Sequence, residues 1–137
     1  MAAVEQILRS ESDGTISFGN HKLTQKAKLE DFKHAGDLYK VKTYATMTKL
    51  EKNGMFLYES VPGTSVLNFH EMPEGIECII EGSEDAQITI GLNDDREYEV
   101  FVKNESIGRM RTGLGGKLNL SVELAGAGEV SVKVIQA

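Results

Sequence analysis

Through the second half of the chain, apolar and polar residues alternate one by one, which is the period of a strand with one buried and one wet face. Over residues 117–124 the set Leu118, Leu120, Val122 and Leu124 alternates with Lys117, Asn119, Ser121 and Glu123. Val130, Val132 and Val134 repeat the pattern over residues 129–135, and Tyr98, Val100 and Val102 over residues 97–103. Shorter runs at 66–70, 76–81, 86–92 and 106–111 also read as strands, and the turns between them are rich in Gly, Asn and Asp. One wet face per strand predicts antiparallel sheets, and the regular spacing of short strands predicts a β-sandwich of about seven strands over residues 61–137.

The first half is less regular. Strands are predicted at 15–18, 38–44, 46–50 and 55–60, with Lys52-Asn53-Gly54 as a hairpin turn. Over residues 21–30, Leu23, Gln25, Ala27 and Leu29 alternate with Lys22, Thr24, Lys26, Lys28 and Glu30, although the composition of residues 25–34 also suits a helix. Val4, Ile7 and Leu8 have helical spacing, so residues 2–11 form a short helix or a loose arm. The break at Val61-Pro62-Gly63-Thr64 is the candidate boundary between an N-terminal arm and hairpin region, 1–60, and a sandwich domain, 61–137. The N-terminal region has few large apolar residues on any one face. It is expected to pack on the sandwich or on another copy.

Charge sharpens this division. Residues 1–60 carry nine Lys/Arg against eight Asp/Glu, a net of +1, and residues 61–137 carry six against thirteen, a net of −7, which together give the formal −6 of the chain. An acidic half repels phosphate backbones and argues against a nucleic-acid partner. The N-terminal lysines are either solvated strand faces or a contact for the acidic half of another copy. Cys78 is the one cysteine among 137 residues, so no disulfide forms within the chain. No apolar run approaches a membrane span and no secretory leader is visible, so the expected location is the cytoplasm and no membrane partner is expected. A trimmed signal or another export route stays open.

Residues 98–122, YEVFVKNESIGRMRTGLGGKLNLSV, resemble immunoglobulin-like sandwich domains appended to polysaccharide-active enzymes. There a Y-x-V-x-V strand enters a hairpin, and a strand ending in Thr precedes a glycine and an alternating strand. The resemblance implies an immunoglobulin-like wiring of the sandwich. Nearly the whole chain also resembles short proteins of anaerobic Firmicutes that carry the name endosialidase. The pieces that carry this likeness include Ser17-Phe18-Gly19-Asn20, residues 39–43 (YKVKT), residues 58–64 (YESVPGT), residues 84–89 (EDAQIT) and Gly115-Gly116-Lys117-Leu118. It implies chemistry on sialic-acid polymers, for which converging arginines, an acid and commonly a tyrosine nucleophile are needed.

Of the four arginines only Arg109 and Arg111 share a strand face. They can grip a carboxylate or sulfate, or pair with Glu123 or Glu99 across strands. His21, His34 and His70 are far apart and none sits in a nucleophile motif, while Cys78 alternates with Ile76 and Ile80 as a core residue would. Asp94, Asp95 and Glu97 supply hard oxygens in one turn and Glu81, Glu84 and Asp85 in another. Calcium is therefore the one candidate cofactor, although acidic turns also form for backbone reasons. Gly113-Leu114-Gly115-Gly116 lacks the ending of a phosphate loop. Tyr39, Tyr44, Phe56, Tyr58, Phe69 and Phe101 are candidates for partial exposure, and Phe101 stands out as an aromatic among the polar positions of its strand. Taken together, the residues favour a non-enzymatic, self-associating β-sandwich protein that forms a homo-oligomer. The alternative is a carbohydrate-binding module using Phe101, Arg109 and Arg111, and the third reading is a glycosidase.

Overall fold

The computed structural model describes Val4 and residues 6–137. Thirteen strands are present: β1 (Leu8–Ser10), β2 (Ile16–Phe18), β3 (Ala27–His34), β4 (Asp37–Thr43), β5 (Thr48–Lys52), β6 (Met55–Val61), β7 (Ser65–Met72), β8 (Gly75–Glu81), β9 (Ala86–Gly91), β10 (Glu97–Val102), β11 (Glu105–Arg111), β12 (Lys117–Val122) and β13 (Val130–Gln136). They form a seven-stranded sheet, β1-β2-β7-β8-β13-β10-β11, and a six-stranded sheet, β12-β9-β6-β5-β4-β3, with every pairing antiparallel. No helix occurs among the described residues.

The alternation read from the sequence sets which face is buried. Leu118, Leu120 and Val122 of β12, Val130, Val132 and Val134 of β13, and Ile76, Cys78 and Ile80 of β8 all join one hydrophobic cluster between the sheets. Tyr39, Val41, Leu50, Leu57 and Tyr58 enter the same cluster from the first sixty residues. Residues 61–137 supply five strands to one sheet but only β9 and β12 to the other. Two strands leave most of a five-stranded apolar face open to water, and the β3–β6 meander covers it. Each large aliphatic side chain buried this way contributes about 1.5–3 kcal/mol. Phe18 sits at the seam, edge-on to Tyr58 at 5.2 Å and to Phe69 at 5.6 Å between ring centroids.

Several local expectations are corrected. Leu8–Ser10 is a strand paired to β2, so this part of the predicted N-terminal helix or arm is extended; residues 1–3 and 5 of that segment lie outside the described residues. The strand predicted over 21–30 begins only at Ala27 and runs to His34, so neither the earlier start nor the competing helix is present. Tyr39, Tyr58 and Phe69 are core residues rather than surface aromatics, each less than a tenth exposed.

The β6–β7 connection, where the Val61–Pro62 peptide is cis, is fixed by buried hydroxyls. Thr64 Oγ1 bonds Tyr58 Oη and Ser60 Oγ, each at 2.8 Å. Thr48 Oγ1 donates to the Thr64 carbonyl at 2.7 Å, accepts the Thr64 amide at 3.1 Å and bonds Thr43 Oγ1 at 2.8 Å. Gly63 lies so close to Tyr44 that a Cβ there would stand 2.0 Å from the Tyr44 carbonyl oxygen. Nearby, His21 Nδ1 bonds Ser65 Oγ at 2.7 Å.

Burial lowers the His21 pKa from its ordinary 6.5, against the opposing pull of Glu81 and with help from Lys22. The unfolded chain therefore binds this proton more readily than the folded one. The stability contributed by neutral His21 is complete above pH 6.5 and is lost as pH falls through 6.5 toward the lower folded value. Urea midpoints are expected to fall between about pH 7 and about pH 5.5, and to fall less in His21→Asn. Equal slopes in the two proteins would remove His21 as the cause.

Candidate functional site

Phe101 stands on the outer face of β10, opposite Lys133 of β13 and Ser106 of β11. Lys133 is opposite Glu77 of β8, and Glu77 is opposite His70 of β7, so one register row, from Ser106 to His70, crosses five strands. The row lies along a groove of about 430 Å³ that Asn68 and Asn104 also line. Phe101 is half-buried in its wall. Such a groove offers one apolar ring and several hydrogen-bonding groups, a combination that suits a polar, ring-shaped ligand.

Arg109 and Arg111 do not join it. A register shift between Val100 and Phe101 sets Ser106 beside Phe101 and leaves the two arginines farther along the edge strand β11. Arg111 Nε donates to Asp95 Oδ1 at 2.8 Å, and Arg109 lies 3.8 Å from Glu97 Oε1. The predicted partners, Glu123 and Glu99, are replaced by Asp95 and Glu97, because the β9–β10 turn brings Asp95 beside the end of β11. The hydrogen bond and charge of Arg111 hold the Asp95 carboxyl below the usual carboxylate range, and Asp95 raises the Arg111 pKa in return. Two of the three proposed calcium ligands, Asp95 and Glu97, thus face arginines, while Asp94 lines a separate groove. No group of three or more His, Cys, Asp or Glu among the described residues is placed to hold a metal ion. In the other acidic turn Asp85 Oδ1 accepts the Leu124 and Ala125 amides at 3.0 and 3.1 Å.

Cys78 and Tyr58 are buried. Burial pushes the Cys78 thiol up to about 12, and burial also raises the Tyr58 phenol. Ser65 and Thr64 are fully buried, and His34 bonds Ser10 Oγ at 2.7 Å and the Gly14 carbonyl at 3.0 Å. Phe18, Tyr58 and Thr64 fall on this core and network, and a Cβ on Gly116 would stand 2.1 Å from the Leu92 carbonyl oxygen.

Two surfaces bring like charges close together. On the outer face of the six-stranded sheet, Lys28 of β3 is directly opposite Lys42 of β4, and Lys42 is directly opposite Lys49 of β5. Like charges in register destabilise a sheet. Lys28 and Lys49 lie 3.7 and 3.6 Å from Glu30 and Glu51, but Lys42 forms no ion pair with any described residue. The second surface is one end of the sandwich, where the β8–β9 and β12–β13 connections touch: a Cβ on Gly82 would stand 3.2 Å from Leu124 Cδ1. Glu81, Glu84, Asp85, Glu123 and Glu129 gather there with no ion pair among the described residues. The sequence showed the lysines of these strands but not their register, which only the strand pairing supplies.

An open cleft of about 530 Å³ at the opposite end of the sandwich is spanned by the Lys52–Glu71 ion pair at 2.7 Å. No helix of the described residues is long and apolar enough to cross a membrane. Comparisons with protein-family models, curated proteins and solved structures find nothing that matches this chain.

Proposed function

We propose that this chain is a non-enzymatic interaction protein that assembles with copies of itself, acting in the cytoplasm. The observation that carries this reading is the in-register lysine row, Lys28-Lys42-Lys49. Glu30, Glu51 and Glu59 on the same face balance Lys28 and Lys49, which leaves Lys42 as the amine that carboxylates brought by a partner would pair. A copy of the same chain supplies them, since residues 61–137 carry thirteen Asp/Glu against six Lys/Arg. The buried hydroxyls support a non-catalytic role, because they are engaged in holding the β6–β7 connection rather than facing a cleft. Light scattering at low ionic strength is expected to give a mass that is a multiple of 15.0 kDa. A mass of 15.0 kDa at every protein concentration would overturn the proposal.

A second reading, carbohydrate binding, rests on the groove beside Phe101. A sugar ring stacked on Phe101 lies beside Lys133 on the next strand, and a longer glycan would run on along the row toward Glu77 and His70. This version drops Arg109 and Arg111, which are paired elsewhere. Glycan-array signal that disappears in Phe101→Ala would favour it, and no signal from the wild-type chain would set it aside.

A further inference from the structure

We infer that two copies join edge to edge through β12, which pairs with itself antiparallel about a two-fold axis at Leu120. This rests on the self-assembly proposed above and names a contact that does not use Lys42.

A strand at the end of a sheet offers unpaired amides and carbonyls to any further strand, and folds blunt such edges with short strands, bulges or charges. Four strands end the two sheets, β1 and β11 in one and β12 and β3 in the other. β1 is three residues long. β11 is broken by its register shift against β10 and by Gly108 at a φ of 114°. β3 carries a register shift between Leu29 and Phe32, Asp31 at a φ of 56°, and the charges of Lys28 and Lys33. β12 is the edge left open. It pairs with β9 residue for residue from Lys117 to Val122, its inward side chains Leu118, Leu120 and Val122 are apolar, and its one charge, Lys117, stands at its first position. Outside the β9 pairing, no amide or carbonyl of Lys117–Val122 bonds any described residue.

Residues 117–123, KLNLSVE, fit this edge themselves. With Leu120 opposite Leu120 of the second copy, Leu118 meets Val122 on the buried face, Asn119 meets Ser121 on the wet face, and Lys117 meets Glu123, each twice by symmetry. A slip of one residue sets apolar side chains opposite polar ones. A slip of two in either direction separates Lys117 from Glu123. Within one copy both of these charges are exposed, and neither forms an ion pair with a described residue. The Lys117 amine lies over the Phe56 ring, 4.5 Å from its centroid. The polar side chains between them on the outer face are neutral and satisfied: Gln87 bonds Ser121, and Thr89 bonds Asn119. Lys117 and Glu123 therefore set the charge preference of the edge. The two pairs they form across the axis are open to solvent, so rising salt weakens the contact. An isologous contact of this kind uses up both edges and closes at two chains.

Charge reversal tests this. Lys117→Glu sets carboxylate against carboxylate at both ends of the contact, and Glu123→Lys sets amine against amine. Either variant is expected to raise the dissociation constant of the two-chain species about tenfold at low ionic strength. The double variant Lys117→Glu/Glu123→Lys is expected to recover it, and so is an equimolar mixture of the two single variants, because opposite charges again face each other. A wild type of 15.0 kDa at every concentration ends the self-assembly reading and this inference with it. An assembling wild type whose single variants assemble as tightly overturns the inference alone, as does a double variant or a mixture without recovery. Disulfide trapping reads the register without changing a charge. Asn119→Cys mixed with Ser121→Cys is expected to give cross-linked pairs of chains, and neither variant alone, since its own two cysteines stand on opposite sides of the axis. No cross-link in the mixture, or equal cross-linking by one variant alone, would contradict the pairing.

Discussion

Phe18→Ala is expected to destabilise the protein by about 3–5 kcal/mol, the cost of truncating a fully enclosed ring and leaving its cavity. Phe18 is 0 % exposed and makes edge-on contacts with Tyr58 and Phe69. Tyr58 reaches it from the six-stranded sheet and Phe69 from the seven-stranded one. These three rings draw on both sides of residue 61, so the loss should be felt along the whole chain. Urea unfolding followed by fluorescence and by far-ultraviolet circular dichroism is expected to show one shared transition at a lower midpoint. Two separated transitions, with only one shifted by the substitution, would mean that the two halves do not share a cooperative core.

Thr64→Val should cost nearly as much for a different reason. The substitution keeps the shape of the side chain and removes one hydroxyl. Tyr58 Oη and Ser60 Oγ both bond to that hydroxyl, and both residues are 0 % exposed. Each buried group left without a partner costs about 1–3 kcal/mol, so a loss of about 2–6 kcal/mol is expected for the two. Tyr58→Phe removes one of the two partners and should cost less than Thr64→Val. A Thr64→Val protein as stable as the wild type would mean that water or a rotated hydroxyl takes over the bonds.

The same residues show what was legible in the sequence. Strict alternation over residues 117–124 and 129–135 named the buried side chains correctly, because a two-residue period leaves no freedom once one face is covered. The period fails at residues 21–26. Asn20 and His21 there are held by Thr43 and Ser65, contacts 23 and 44 residues away that no local pattern encodes. Tyr58 was read as a strand residue open to partial exposure and Thr64 as part of a Pro-Gly break, and the bonds that bury them depend on Thr48 of another strand. Beside the groove, Phe101 was singled out in the sequence by its position on a polar face. The arginine partners were not, since the β9–β10 turn decides whether Asp95 or a cross-strand glutamate reaches Arg111. The lysine row was hidden for the same reason. Lys28, Lys42 and Lys49 become neighbours only through the β3–β4 and β4–β5 registers.

Sedimentation velocity of the wild-type chain across a salt gradient tests charge-driven self-association most directly. Surface charges act over about 10 Å in 0.1 M salt and about 3 Å in 1 M salt. The expected result is an assembly at low ionic strength that dissociates to 15.0 kDa as salt rises. An assembly whose size does not change with salt, or a 15.0 kDa species throughout, would contradict it.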